Sequence, residues 1–196
     1  MRRTGQRRGV QNPHTLGGRR AHGPKVEKDW SRKLNSTERR LARDSALAAT
    51  TSLESVTARG HRLAEGVDKL PIILGDYTEV AGKDSESIDI ETFNLNGGTR
   101  KVSAIFEALG LGDDLRRAKN GRNVRAGKAT MRGRVRKVPK SVLLVVANKD
   151  GLARAAKNLP GVNIVAAKDL CAEDLAPGGD MGRLTVFTKS AVEVLA

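Results

Sequence analysis

The sequence "AGKATMRGRVRKVPKSVLLVVANKDG", residues 126–151, sets a run of cations directly before a run of aliphatic side chains. Residues 141–147 are almost continuously apolar, which is typical of a strand that is buried on both faces of a sheet. Residues 116–140, in contrast, contain 11 lysines and arginines and no aspartate or glutamate. Such a segment cannot be buried without a polyanion. The stretch therefore predicts a core strand entered from a polyanion-binding loop.

Strand and helix patterns alternate on both sides of this strand. Short apolar runs predict further strands at 70–74, 162–166 and 184–188. Apolar residues at helical spacing predict helices around 102–109 and 152–159, a helical turn near 171–175 and a terminal helix from Ser190. This order predicts an α/β domain with right-handed crossovers, in which a parallel sheet carries helices on both faces.

The N-terminal part of the chain has a different character. Residues 1–34 are rich in arginine, glycine and proline and show no apolar periodicity, so we predict an extended basic arm that orders only on a partner. The α/β domain then spans 35–196, with its basic loop at 116–140. Its first helix is predicted over 37–59 with a break near 50–52.

Two local features of this domain are predicted from side-chain type. Asn35 with Glu38 three residues later resembles a capping pair for the first helix. The acidic linker 81–98, rich in serine, asparagine and glycine, is predicted to be a surface loop.

The positive charge is confined to two segments. The chain has a net charge of +14, of which the arm contributes +8 and residues 116–140 contribute +11, so the remainder is mildly acidic at −5. Two strongly basic segments on an acidic body are typical of phosphate-backbone binding. Arginine outnumbers lysine in both, which suits bidentate phosphate contacts and stacking on bases.

Several other classes of protein are disfavoured. Cys171 is the only cysteine, which predicts a reducing compartment and a small buried apolar residue instead of a disulfide or zinc site. The start of the chain has no apolar region of a signal peptide, and no stretch approaches the roughly 20 apolar residues of a membrane span. We therefore predict a cytoplasmic protein with no membrane partner.

Enzyme motifs were tested because an α/β sheet is a common setting for nucleotide chemistry. Gly127-Lys128 resembles the end of a phosphate-binding loop, but Arg122 and Ala129 replace the required glycine and hydroxyl, and the motif precedes a strand whereas a phosphate-binding loop follows one. The glycine cluster 178–182 lacks the dinucleotide-binding spacing and is predicted to be a tight turn. A nucleotide-binding α/β enzyme remains an alternative, as does a free-standing RNA-binding regulator.

Histidines and paired carboxylates give no better evidence for catalysis. The three histidines share no metal-ligand spacing, and the pairs Asp113-Asp114 and Glu173-Asp174 fit helix starts. The sequence therefore predicts no enzyme, no metal, no cofactor and no small-molecule substrate.

The basic segments fit folded RNA better than duplex DNA, because no recognition helix or zinc finger is visible. Gly121, Gly127 and Gly133 would keep the loop backbone thin, and His22 and Trp30 offer rings that can stack on unpaired bases. The predicted RNA-binding residues are Arg19, Arg20, His22, Lys25, Lys28, Trp30, Arg32, Lys33, Arg122, Arg125, Lys128, Arg132, Arg134, Arg136, Lys137 and Lys140.

Three stretches carry a family resemblance: "GGRRAHGPKVEKDWSRKLNSTERRLARDSALAAT" at 17–50, "AGKATMRGRVRKVPKSVLLVVAN" at 126–148 and "DLAPGGDMGRLTVFTKSAVEVL" at 174–195. Together they resemble the ribosomal large-subunit protein four family in its archaeal and eukaryotic form. The resemblance implies a structural protein of the large ribosomal subunit that binds 23S-type rRNA, supports assembly and contacts neighbouring ribosomal proteins. It also implies that the arm is the return half of a long loop whose tip lines the peptide exit tunnel beside ribosomal protein twenty-two.

The sequence departs from the family pattern at its start. Family members begin with a strand, a helix and the outgoing half of the loop, and this chain starts near the return arm. We therefore expect the 196-residue chain alone to leave part of its core uncovered and to be prone to aggregation.

Overall fold

A computed structural model describes residues 21–67, 69–75, 77–79, 86–88, 91 and 98–195, with only the backbone of 77–79 and 86–88. Two compact units divide the chain, one at Met1–Leu34 and the other at Asn35–Ala196. The first unit is described from residue 21 onward and contains turns but no helix or strand in that part. The second unit contains all the regular structure that follows.

Eight α-helices and eight strands occur in the described residues of this second unit. The helices are α1 Ser36–Ala49, α2 Leu53–Ala58, α3 Gly98–Ala108, α4 Gly112–Asn120, α5 Lys128–Met131, α6 Gly151–Ala156, α7 Ala172–Leu175 and α8 Lys189–Leu195. The strands are β1 Ile72–Leu74, β2 Tyr77–Glu79, β3 Glu86–Ile88, β4 Asn123–Val124, β5 Arg136–Lys137, β6 Leu143–Val146, β7 Asn163–Ala166 and β8 Thr185–Thr188.

The central sheet is parallel and has the order β1-β8-β6-β7. β6 pairs with β8 on one side (Leu144 opposite Val186) and with β7 on the other (Leu144 opposite Ile164). All four β6 residues are completely buried, as the continuous apolar run predicts. The core strand therefore has neighbours on both sides, and the uncovered core that we expected from the family pattern does not occur at this strand.

Helices cover both faces of the sheet, which confirms the predicted α/β class. Leu144 and Val146 of β6 belong to a hydrophobic cluster with residues of α2, α3, α4 and α6. Phe106 of α3 is a fully buried member of this cluster. Leu143 and Val145 point to the opposite face and join a cluster with α1, α7 and α8. The strand is apolar at every position because its alternating side chains enter two separate cores.

Two predicted local features are corrected by the structure. The first helix breaks at 50–52 as predicted, where Ser52 caps α2, but Asn35 precedes α1 without any side-chain capping bond. The linker 81–98 lies largely outside the described residues. Where it is described it is not a plain surface loop, because β3 pairs antiparallel with β2 and Glu91 is buried.

Glu91 closes the carboxyl edge of the sheet. Its carboxylate accepts hydrogen bonds from the amides of Ala147 (2.8 Å) and Asn148 (3.1 Å), just beyond β6, and from the hydroxyls of Thr188 and Ser190 at the end of β8. α6 follows β6 on one face, whereas α8 follows β8 on the other. The gap between these two strand ends is where doubly wound folds bind their ligands, and here a side chain of the same protein fills it.

The four donors keep this buried carboxylate ionised. Burial by itself would raise the pKa of Glu91, but the hydrogen bonds from Thr188, Ala147, Ser190 and Asn148 outweigh it and lower the pKa below its ordinary value. The bonds therefore stabilise an ionised linker residue against the ends of two core strands.

We expect Glu91→Ala to lower the free energy of unfolding by about 2–4 kcal/mol, because two amides and two hydroxyls lose their buried acceptor. The measurement is denaturant unfolding monitored by circular dichroism. Glu193→Ala, on an exposed position of α8, is the matched control and should change stability by less than about 0.5 kcal/mol. Equal effects of the two variants would contradict a role for Glu91 in holding the sheet edge.

Candidate nucleic-acid interface

The strongest concentration of exposed cations lies on a hairpin, residues 121–140, which we call the basic hairpin. Its two strands, β4 and β5, pair antiparallel with Val124 opposite Arg136. α5 forms a single helical turn in the loop between them. The hairpin leads directly into β6, so the cationic segment stands at the amino edge of the parallel sheet.

Glycines shape the hairpin in two different ways. Gly127 and Gly133 both have a φ of 75° and open space around them, as expected for residues that turn the backbone. Gly121 has an ordinary φ, but a Cβ atom there would lie 2.6 Å from Pro139, so this position requires close approach. The segment predicted as a basic loop over 116–140 is therefore a folded hairpin preceded by α4.

All eight predicted RNA-binding residues of the hairpin are exposed. None of them forms an ion pair with a carboxylate among the residues that the structure describes. Two cations just before the hairpin differ, since Arg116 pairs with Asp113 (3.4 Å) and Arg117 pairs with Asp114 (2.9 Å). The unpaired charge is therefore concentrated on the hairpin itself, at Arg122, Arg125, Lys128, Arg132, Arg134, Arg136, Lys137 and Lys140.

The base of the hairpin is held by the completely buried carboxylate of Asp114. Its Oδ1 lies 3.1 Å from His61 Nδ1 and accepts hydrogen bonds from the Arg62 amide (3.1 Å) and from Arg117 Nε (2.9 Å). Its Oδ2 accepts a bond from Ser141 Oγ (2.6 Å). This one side chain therefore joins α4, the segment after α2 and the entry to β6.

A second contact of Arg117 strengthens this connection, because its Nη2 donates to the carbonyl oxygen of Lys140 at 2.7 Å. Burial would raise the pKa of Asp114, but the hydrogen bonds from His61, Arg117 and Ser141 hold it well below its ordinary value. The ionised carboxylate thus fixes both ends of the hairpin to the domain.

Arg183 supports the same edge of the sheet from the other side. It is 1% exposed and donates to the carbonyl oxygens of Ser141 (3.2 Å) and Asp174 (2.8 Å) and to Oδ1 of Asn163 (3.0 Å). Lys140 Nζ donates to the same Asn163 oxygen at 3.1 Å. Burial and the nearby Arg59 lower the pKa of Arg183 to about 10, which leaves it protonated at neutral pH.

Every residue of the described part of the N-terminal unit, 21–34, is exposed to solvent. Lys28 Nζ lies 4.8 Å from the ring centroid of Trp30, a cation–π distance, and the Trp30 side chain is 66% exposed. Ser31 donates to Asp29 Oδ1 through its amide (2.9 Å) and its hydroxyl (2.6 Å). Six predicted RNA-binding residues lie in this described part and are exposed: His22, Lys25, Lys28, Trp30, Arg32 and Lys33. Arg19 and Arg20 lie outside the described residues.

Sequence reasoning missed the groups that hold the hairpin in place. Asp114 was interpreted as a helix-start residue, and His61 was considered only as a metal ligand or catalytic base. The two lie 53 positions apart, so their contact follows from the packing of α4 against the sheet. Within the described residues, no three His, Cys, Asp or Glu side chains come together to hold a metal ion.

Cys171 also differs from its prediction, because it is exposed instead of buried. Its thiol donates to Asp174 Oδ2 at 3.0 Å and takes part in capping α7. That hydrogen bond raises the pKa of the thiol.

Among the described residues there is no helix with both the length and the apolar character needed to cross a bilayer.

Comparison with known proteins gives a consistent picture. Residues 2–196 match the profile of the ribosomal protein L4/L1 family. The chain is 43% identical over 188 residues to the large ribosomal subunit protein uL4 of Halobacterium salinarum, which covers 96% of this chain and 69% of the relative. It is 46% identical over 189 residues to uL4 of Archaeoglobus fulgidus (96% and 68%) and 44% identical over 195 residues to uL4 of Methanococcus maripaludis (100% and 71%).

We expect Asp114→Asn to lower the free energy of unfolding by about 2–4 kcal/mol, since it removes the ionised acceptor of His61, Arg117 and Ser141 from a buried site. Urea unfolding gives the measurement. Asp113→Asn is the matched control, because its ion pair with Arg116 is exposed and should contribute less than about 1 kcal/mol. A stable Asp114→Asn protein would show that the buried network does not hold the hairpin base.

The same network predicts a dependence of stability on pH. The folded pKa values of Asp114 and Glu91 lie below the ordinary values of 3.8 and 4.5, so both carboxylates stabilise the fold above those values and lose their effect as pH falls through the folded pKa. The free energy of unfolding should therefore be constant near neutrality and fall below about pH 4.5, by up to about 1.4 kcal/mol per pH unit for each carboxylate. The variant Glu91→Gln/Asp114→Asn should show a shallower decline; an identical decline would contradict the assignment.

Proposed function

Because this chain belongs to the ribosomal protein L4/L1 family, we propose that it is a structural constituent of the large ribosomal subunit that binds large-subunit rRNA through its basic hairpin and its N-terminal arm. The family membership confirms the predicted class, a ribosomal protein that is not an enzyme, and the predicted location on the ribosome. The rRNA contacts and their residues are the finer part of the proposal.

One observation supports this finer part most directly: eight exposed cations without a described carboxylate partner project from a hairpin whose base is fixed by the hydrogen bonds of the buried Asp114 carboxylate. Cations that form no ion pair within the protein remain available to neutralise phosphates. This neutralisation releases the counterions condensed on the nucleic acid. A fixed hairpin also binds with a smaller loss of conformational entropy than a flexible tail. We infer that the hairpin is the main phosphate-binding surface of the domain.

The arm supplies a second, different kind of contact. Trp30 exposes two thirds of its side chain and Lys28 lies beside its ring, so an unpaired base and a phosphate can be bound together. The family resemblance of residues 17–50 supports a position of this arm within the rRNA, toward the peptide exit tunnel and neighbouring ribosomal proteins. The arm and the hairpin would then act as two separate attachment points.

The nucleotide-binding enzyme is disfavoured by two features. The Gly127-Lys128 pair lies in the hairpin loop, ahead of a strand, and has no helix of useful length after it. Glu91 places a carboxylate at the sheet edge where a phosphate would bind, and two negative groups would repel each other there. The free-standing RNA regulator is disfavoured by membership in a ribosomal protein family.

The test is the salt dependence of RNA binding by the complete 196-residue chain. Each phosphate contact contributes roughly 0.9 to the log–log salt slope on duplex and about 0.7 on single strands, so replacing Arg132, Arg134, Arg136 and Lys137 by serine should flatten the slope by about three units. Binding of 23S rRNA from Archaeoglobus fulgidus, measured by filter retention between low and moderate salt, gives this slope.

A charge-matched control separates the hairpin from general basicity. Lys149, Arg154, Lys157 and Lys168 are exposed cations on or near α6 and β7, and replacing all four by serine changes the net charge equally. This control should leave the slope almost unchanged. Equal slopes for wild type and the hairpin variant would mean that the hairpin cations are solvated surface and that the proposed interface is wrong.

A further inference from the structure

A large apolar side chain stands at the tip of the basic hairpin. Met131, the last residue of α5, is 82% exposed, the highest exposure of any described large apolar residue in the α/β domain. Val124 and Val135, on the two sides of the loop, are 70% and 43% exposed. Exposing a methionine to water beside the hairpin cations has no benefit for folding.

This exposure belongs to a well-formed loop. Thr130 Oγ1 donates to the carbonyl oxygen of Arg125 at 2.6 Å, and the Arg125 amide donates to Val135 at 2.8 Å. The Arg134 amide donates to the carbonyl oxygen of Ala129 at 3.0 Å, which closes the turn behind Met131. The loop therefore holds Met131 outward instead of folding it against the domain.

The surroundings of Met131 decide which partner fits. Arg132 follows it directly, and Lys128 and Arg134 flank the turn, with no ion pair to a described carboxylate. Protein interfaces are depleted of lysine and of charge at their apolar centres, so a protein would have to bury several unpaired cations to reach this methionine. An unpaired nucleobase presents an aromatic face to a thioether while its phosphates remain within reach of the cations.

We propose that Met131 packs against an exposed base of the large-subunit rRNA and makes an apolar contact that is independent of the phosphate contacts around it. This inference rests on the proposed rRNA-binding function and deepens it. The cations supply salt-dependent attraction to any backbone, whereas the methionine selects places where a base is unstacked. The hairpin tip thereby distinguishes folded RNA with unpaired bases from regular duplex.

Salt titration separates the two kinds of contact. Met131→Ser should weaken binding of Archaeoglobus fulgidus 23S rRNA by about tenfold at every salt concentration, the effect of one well-packed methionine, with no change in the log–log slope. Met131→Leu, which keeps the apolar volume, should remain within about twofold of wild type. Met181→Ser is the matched control, because Met181 is 63% exposed and lies outside the hairpin, in the segment before β8, and it should bind as wild type does.

A competitor supplies the second measurement. A regular RNA duplex without loops should bind wild type and Met131→Ser equally, since it offers no accessible base face. Equal affinity of the two proteins for 23S rRNA, or a slope changed by Met131→Ser, would overturn the base contact while leaving rRNA binding intact. A defect of Met131→Ser that appears only when another ribosomal protein is present would also overturn it, in favour of a protein contact. Failure of wild type to bind 23S rRNA in a salt-dependent manner would instead overturn the proposed function itself.

Discussion

The carboxylate of Asp114 is the interaction on which the arrangement of this domain depends. This single buried anion is hydrogen-bonded to four groups that come from three separate parts of the chain, namely His61, the Arg62 amide, Arg117 and Ser141. Burial of a lone carboxylate would be highly unfavourable, so each donor is needed to satisfy it. The result is that a strongly self-repelling hairpin is attached at both ends to a rigid sheet, and its cations can be presented without being neutralised.

The parallel sheet has two edges of opposite chemical character. At the amino edge, Lys140, Arg183 and the basic hairpin gather positive charge near the starts of β6, β7 and β8. At the carboxyl edge, Glu91 binds the amides and hydroxyls that other α/β proteins offer to a ligand. The proposed function therefore uses the fold in a reversed sense, with the proposed binding surface at the edge opposite to the usual one. The fold class alone would have suggested the carboxyl edge, which is why function has to be argued from the site.

The parts predictable from sequence are those governed by local periodicity and by charge. The run at 141–147 and the helical spacing at 102–109 identified β6 and α3, and the acid-free segment identified the basic hairpin as exposed. The parts that were missed depend on long-range packing. Nothing near Asp114 in the sequence indicates that His61 would reach it, and nothing near Glu91 indicates that a residue of an acidic linker would be buried. The glycines were interpreted as keeping the backbone thin for approach to RNA, whereas Gly121 is required by the proximity of Pro139 within the protein.

The position of β8 has a consequence for the order in which the chain can fold during its synthesis. β8 lies between β1 and β6 in the sheet. Its Val186 pairs with Ile72 of β1, and more than half of the chain separates these two residues in sequence. Until residues 185–188 have been translated, β1 has no partner in the central sheet, because the strand that joins it to β6 does not yet exist. The groups around Asp114 all precede β7, so the base of the hairpin can form earlier in translation. A nascent chain would therefore carry a nearly complete cationic hairpin before β8 joins β1 to β6.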